Sequence, residues 1–188
     1  MPIKHFDGGL PYKTDKPVYI GIDQSYSGFG LTALSKDGDE YYTVVFKADD
    51  RGVRRLVNIE MVLISQYTNF SNVLDVAIEG YAFGSQMANM LGELGGLVKT
   101  TTHSYVKGPG QYPLIVPPTN LKKYITGKGN GVSKSQILLQ VYKKWDVEFP
   151  DDNAADSYGL AHLVSGRYSL AYEEDVYNKL QDPKFREA

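Results

Sequence analysis

Val18-Tyr19-Ile20-Gly21-Ile22-Asp23 is the stretch that decides the fold. Its β-branched and aromatic residues read as a buried strand. The run ends on a carboxylate, Asp23, followed by the polar, glycine-bearing turn Gln24-Ser25-Tyr26-Ser27-Gly28. Gly28 to Leu34 and Tyr41 to Phe46 read as two further strands. Asp37-Gly38 between them is a strong turn signal, so these two form a hairpin. Upstream, residues 1–16 are polar and punctuated by Gly and Pro, and read as an extended N-terminal arm.

Downstream, Val53, Leu56, Val57, Ile59, Val62, Leu63 and Ile64 recur at mostly helical spacing through Tyr67, with Arg51, Arg54 and Arg55 at the start. Val73 to Glu79 is a fourth strand. Gln86 to about Lys99 reads as a helix, although Gly92, Gly95 and Gly96 weaken its propensity. Leu114-Ile115-Val116 is a short strand closed by Pro117-Pro118. Thr119 is placed to cap a short helix through Ile125, and Ser133 with Gln136 forms a capping box for a helix to about Trp145. Asp151 opens a last helix to about Leu170. The acidic stretch Glu173-Glu174-Asp175 begins a tail over residues 171–188 that reads as peripheral. The order predicts an α/β protein in which residues 17–170 form one domain. Its arrangement fits the ribonuclease H-like one: a mixed five-stranded sheet, three antiparallel strands and then parallel ones, flanked by helices.

Composition narrows the chemistry. The chain has 188 residues, no Cys and three His, so a disulfide framework, a thiolate zinc site and a Cys nucleophile are excluded. No apolar run approaches the roughly 20 residues that span a bilayer, and Met1 to Lys16 has no signal-peptide core. No membrane partner is expected. The expected compartment is the cytoplasm, bacterial or of an infected host. The net charge is only −2, but Leu94 to Trp145 contains no acid and eight lysines. That leaves twelve cations against twenty-two acids in the remainder. A basic surface for a polyanion follows from this asymmetry, with Gly and aromatic residues interleaved among the lysines.

Asp23 and Glu79 each follow an apolar strand, and Asp152 and Asp156 lie four apart, on one face of a helix. Gathering such carboxylates is costly, because like charges raise one another's pKa. Divalent metal removes that cost, and carboxylates with water suit Mg2+ or Mn2+. Two such ions about 4 Å apart can clamp the attacking and leaving oxygens of a phosphodiester. Taken singly, each acid reads first as a turn or cap residue, and only the set of them, with the spacing of the whole chain, points to catalysis. Gly127-Lys128-Gly129-Asn130-Gly131 is not a P-loop, because its spacing to Ser133 is wrong. Ser25 and Ser27 lack a His/Asp frame for a nucleophile, and His103 and His162 take no role.

Four motifs occur in the order found in RuvC-type Holliday junction resolvases. Gly21-Ile22-Asp23-Gln24-Ser25-Tyr26-Ser27-Gly28-Phe29-Gly30 resembles the first motif of that family, and Ala77-Ile78-Glu79-Gly80-Tyr81 resembles its second acidic strand. Pro118 to Lys123, Thr126 to Gly129 and Ser133 to Gln136 resemble its basic segment, and Asp152 to Ser157 its closing acidic helix. The resemblance spans about residues 18–165, and the size and lack of Cys are similar to virus- or phage-encoded members. It implies a homodimeric endonuclease, with two Mg2+ per site replaceable by Mn2+, that nicks opposed strands of a four-way DNA junction. On that resemblance Asp23 bridges the metals, Glu79 and Asp156 are further ligands, and Asp152 or Asn153 is the fourth. Asp152 is favoured. Lys122, Lys123, Lys128 and Lys134 contact phosphates. The aromatic that wedges the junction falls to Tyr81 or Phe83, either of which is equally a packed core residue. The glycine-bearing helix at 86–99 is a candidate dimer interface.

Other readings share parts of the pattern. A ribonuclease H-like nuclease acting on RNA–DNA hybrids or flaps needs the same metal chemistry. A non-catalytic junction-binding protein needs only the basic surface, and Asn153 leaves that open. An actin- or sugar-kinase-like ATP-binding domain also begins with an apolar strand, Gly-Ile-Asp and a Ser/Gly turn, but the chain is short for two lobes and lacks a second phosphate loop.

Overall fold

The computed structural model describes residues 3–47, 49–81 and 88–187. The strand that begins the motif, β2 (Val18–Asp23), is central: it pairs antiparallel with β3 (Phe29–Ser35) and parallel with β5 (Val73–Glu79). β3 continues antiparallel to β4 (Tyr41–Phe46) through a turn in which Gly38 takes a positive φ of 84°. β6 (Leu114–Val116) extends the parallel side beyond β5. β2, β3 and β4 are buried along almost their whole length, because helices cover both faces of the sheet.

One face packs α1 (Gly52–Asn69) and α2 (Ala88–Tyr105), with Ile59, Leu63, Leu94 and Val98 meeting Ile20, Ile22, Leu31 and Ile78. The other packs α5 (Asp152–Val164) directly on the sheet, backed by α3 (Pro118–Thr126) and α4 (Lys134–Trp145). The α5 packing depends on glycine. A Cβ at Gly21 would run into the Ser157 carbonyl oxygen and the Ala161 nitrogen, and one at Gly30 into the Asn153 carbonyl oxygen. Beneath α5, Thr32 Oγ1 hydrogen-bonds Ser157 Oγ and Thr43 Oγ1, each at 2.8 Å, pinning helix to sheet in an otherwise apolar layer. α5 therefore lies across β2 and β3 with its N-terminal turn over the end of β2.

Local signals account for the helix ends. Ser133 accepts from Gln136 N while Gln136 Oε1 accepts from Ser133 N, as the capping box requires. Gly127 ends α3 in the left-handed conformation. α5 stops at Val164, short of the expected Leu170, as Gly166 turns the chain at φ 71°. α3 begins at Pro118, one residue before the expected Thr119 cap, since proline is preorganised for a first helical position.

Three expectations needed correction. Among the described residues the sheet has six strands, in the order β1-β4-β3-β2-β5-β6, rather than five. The extra one, β1 (Ile3–Gly8), comes from the arm and pairs antiparallel with β4. It is an edge strand with exposed residues, so it carries no hydrophobic run for sequence reading to find. The C-terminal segment is not peripheral. In α6 (Ala171–Lys179) Glu173 is only 1% exposed, and Val176 and Leu180 join the core. Farther on, in α7 (Lys184–Glu187), Arg186 grips Asp75 through both terminal nitrogens, at 3.0 and 2.7 Å. In α1 the sheet-facing side is Arg55, Ile59, Leu63, Gln66 and Tyr67, while Val53, Val57 and Met61 face outward. Among the described residues no helix is long and apolar enough to cross a membrane.

Candidate active site

Asp23 ends β2 and Glu79 ends the parallel neighbour β5, so the two carboxylates emerge side by side at one end of the sheet. Gln24 braces that end: its Nε2 donates to the Glu79 carbonyl oxygen at 2.6 Å. The first turns of α5 carry Asp152 and Asp156 to the same place. Asp23 is 5% exposed and hydrogen-bonded to Glu79. Asp156 Oδ1 is buried and has no hydrogen-bond partner.

The electrostatics follow from this crowding. Burial pushes the Asp23 carboxyl well above the usual range, reinforced by Glu79, Asp156 and Asp152. Burial raises Glu79 to about 7, opposed by its hydrogen bond with Asp23 and by Lys122. Asp156 rises to about 8, again chiefly through burial and then through Glu79 and Asp152, with Lys122 and Lys134 pulling it down. One buried and two half-buried acids that disfavour their own ionisation are a strained arrangement, of the kind that marks functional sites.

The structure separates the two candidates for the fourth acidic position. Asp152 points to the cluster's rim, where Lys134 of α4 forms an ion pair with it. Asn153 is engaged elsewhere. Its Nδ2 donates to Asp151 Oδ1 at 2.8 Å, and its side chain packs where a Cβ on Gly28 would sit. Asp151 also accepts from Asn153 N, and Lys47 pairs with it at 2.6 Å. Sequence reading missed this anchoring role of Asp151, which looks there like an ordinary helix cap. Its burial, 4% exposed, and its ion pair with Lys47 arise only from tertiary contact. Gln24 was missed for the same reason.

Of the four lysines, Lys122 and Lys134 lie at the carboxylates. Lys123 instead faces Asp175 of α6 at 3.8 Å, and Lys128 is exposed in the glycine loop after α3. Tyr81 is half-buried against the start of α2, its ring beside Gly95 and its hydroxyl near Gly92. Phe83 lies outside the described residues. His162 is buried and stacked on Trp145, with its pKa lowered to about 3, chiefly by burial, and it takes no part here. A cleft of about 630 Å³ beside it, lined by Lys144, Arg167 and Glu173, sits at the far end of the sheet from the carboxylates.

The donor set fits a hard divalent cation: all oxygen, largely buried, with one orphaned carboxylate oxygen and repulsion that a cation relieves. As they stand, no three His, Asp or Glu among the described residues are drawn into a common shell. Asp23 and Glu79 hydrogen-bond each other, and Asp152 is held by Lys134. A shared shell therefore requires the Lys134–Asp152 pair to open.

The chain is an α/β protein whose mixed sheet has the ribonuclease H-like fold, with acids where two parallel strands and one helix meet. Among solved structures, the chain is similar to Thermus thermophilus RuvC at 19% identity and a TM-score of 0.64, over 87% of this chain and 96% of that one. It is likewise similar to T. thermophilus RuvC in complex with a Holliday junction substrate, at 17% identity and a TM-score of 0.65, over 88% and 96%. The likeness establishes the shared fold. No family model matches the chain, and neither does any curated protein.

Proposed function

We propose that this chain is a divalent-metal-dependent endonuclease that nicks opposed strands of a four-way DNA junction, acting as a homodimer. The observation that carries this reading is the meeting of Asp23, Glu79, Asp156 and Asp152 at the edge of a lysine-bearing surface, on a fold shared with a protein solved on a Holliday junction. Asp23, Glu79, Asp152 and Asp156 would hold two Mg2+ ions, with Mn2+ able to replace them. When bound, such a pair supplies the Lewis acidity that activates water and stabilises the leaving 3′-oxygen of a phosphodiester. Asn153 is left out of the set because Asp151 holds its amide.

The chain's own residues do the rest. Asp23 and Glu79, at the ends of adjacent parallel strands, fix the site to the sheet. Lys134 neutralises Asp152 until a stronger cation arrives, and its exposed ammonium is then free for a backbone phosphate. Lys122, beside Glu79 and Asp156, is positioned for another. Phosphate contacts of this kind orient DNA without reading its sequence.

The test is cleavage of end-labelled four-way junction, duplex, flap and RNA–DNA hybrid in Mg2+ or EDTA, with Asp23→Asn alongside. Paired nicks confined to the junction, absent in EDTA and in the variant, are expected. Cleavage of hybrid or flap instead keeps the site and overturns the substrate. Tight junction binding with no cleavage in any metal overturns the enzyme.

A further inference from the structure

Among the described residues β6 is the last strand on its side of the sheet, and a cleft of about 420 Å³ opens beside it. Its walls come from the C-terminal half of α2, from residues 111–113 and from Arg186 of α7. Lys99 and His103 stand four apart on α2 and so share one side of that helix. Tyr112 lines the same cleft, 58% exposed, its ring set edge-on to His103 with 5.2 Å between centroids. Arg186 donates to the Tyr112 carbonyl oxygen at 2.8 Å while it grips Asp75, so this exposed ring rides on an anchored backbone.

The walls are mostly apolar, and among the described residues no acid lines them. Asp75 offsets the charge of Arg186, which leaves Lys99 to set the sign of the cleft, with exposed Lys107 two residues beyond α2. Lys99 and Tyr112 both come from the acid-free stretch Leu94 to Trp145, and neither serves the carboxylates. An aromatic face beside an ammonium suits a group that is flat and apolar on one side and anionic on the other. An unpaired nucleotide has that form: its base stacks on the ring whatever its identity, and its phosphate meets the cation. In a duplex both faces of each base are already covered by neighbours.

The cleft also lies on a path from the carboxylates. Asp75 and Glu79 are four residues apart on β5, about 13 Å at the rise of a strand. The sheet edge between them is β6, with Val116 opposite Glu79 and Leu114 opposite Ala77. Lys122 stands at the carboxylate end of this edge and Lys99 at the other.

We propose that this cleft holds an unpaired nucleotide of a DNA strand that runs from the carboxylates along the β6 edge, its base against Tyr112 and its phosphate on Lys99. The proposal rests on the nuclease reading for the strand's arrival at Glu79, whereas the binding itself needs neither metal nor cleavage.

Fluorescence anisotropy of the full chain in EDTA, on a labelled single strand of about 12 thymidines and on a duplex of the same length, tests this. Tyr112→Ala should weaken single-strand binding at least about fivefold, the loss of one stacked base, and leave duplex binding unchanged. Tyr112→Phe should bind like the wild type, because the ring and not the hydroxyl does the stacking. Lys99→Gln should weaken single-strand binding and make its salt slope shallower by about 0.7. The melting temperature of Tyr112→Ala should stay at the wild-type value, since the side chain is largely in water. Single-strand affinity that is unchanged in both Tyr112→Ala and Lys99→Gln overturns the proposal. Sensitivity to Lys99→Gln alone, or an equal loss on duplex in Tyr112→Ala, overturns the base-holding role. A chain that shows the expected sensitivities yet cuts no junction keeps the cleft and overturns only the nuclease reading.

Discussion

Asp23 and Asp156 are the residues whose chemistry is most exposed to test. Losing a residue that merely orients a metal ligand costs roughly 10–100-fold in activity or metal affinity. Asp23→Asn, which removes a proposed ligand, should cost more than that in Mg2+-dependent cleavage rate while leaving the circular dichroism spectrum native. The raised acids also predict a pH effect. Glu79 at about 7 and Asp156 at about 8 stand above their unfolded values near 4. The fold therefore favours their protonated forms. That stabilisation is complete below pH ~4 and is lost as pH rises through about 7 and 8. The metal-free protein should melt at a lower temperature at pH 8 than at pH 5.5, and Asp156→Asn should flatten the difference. Added Mg2+ should raise the melting temperature more at pH 8, where the carboxylates are charged. A metal-free melting temperature independent of pH over this window would contradict the buried cluster.

At the scale of elements, the site depends on how closely α5 lies on β2. Gly21→Ala places a methyl against the backbone of Ser157 and Ala161, which cannot retreat as a side chain can. Overpacking costs about 1–3 kcal/mol where side chains yield, so a clash with helix backbone should reach the upper end or beyond. Urea denaturation and cleavage rate should fall together, since the same displacement moves Asp152 and Asp156. The C-terminal segment matters for a different reason. Glu173 of α6 pairs with Lys144 of α4 at 2.6 Å, both being largely buried. Removing one partner of such a pair strands the other charge, so Glu173→Ala should cost about 3–5 kcal/mol in urea denaturation.

Over the whole molecule, charge is arranged rather than abundant. The acid-free stretch Leu94 to Trp145 supplies Lys122 and Lys134 to the carboxylate end, while Lys123 is partnered by Asp175. Junction binding should weaken steeply with salt, because each neutralised phosphate releases counterions and adds about −0.9 to the slope of log K against log salt. Lys122→Ala and Lys134→Ala should each make the slope shallower by about one per protomer, and Lys123→Ala should change it less. Fluorescence anisotropy on a labelled junction over a salt series checks all three.

The sequence alone determined the strand-and-helix order, the hairpin at Asp37-Gly38, the Ser133 capping box and the acids that end β2, end β5 and open α5. These are legible because periodicity, turn chemistry and caps act over a few residues. Tertiary structure alone decided that the polar arm becomes β1, that Glu173 is buried beside Lys144, and that α1 turns Val53, Val57 and Met61 to water while burying Arg55. It also decided that Asn153 serves Asp151 while Asp152 faces the cluster. Each of these depends on partners far away in the chain. An edge strand needs only a neighbour's backbone, a buried charge needs only its counter-charge, and neither requirement leaves a local pattern in the residues that meet it.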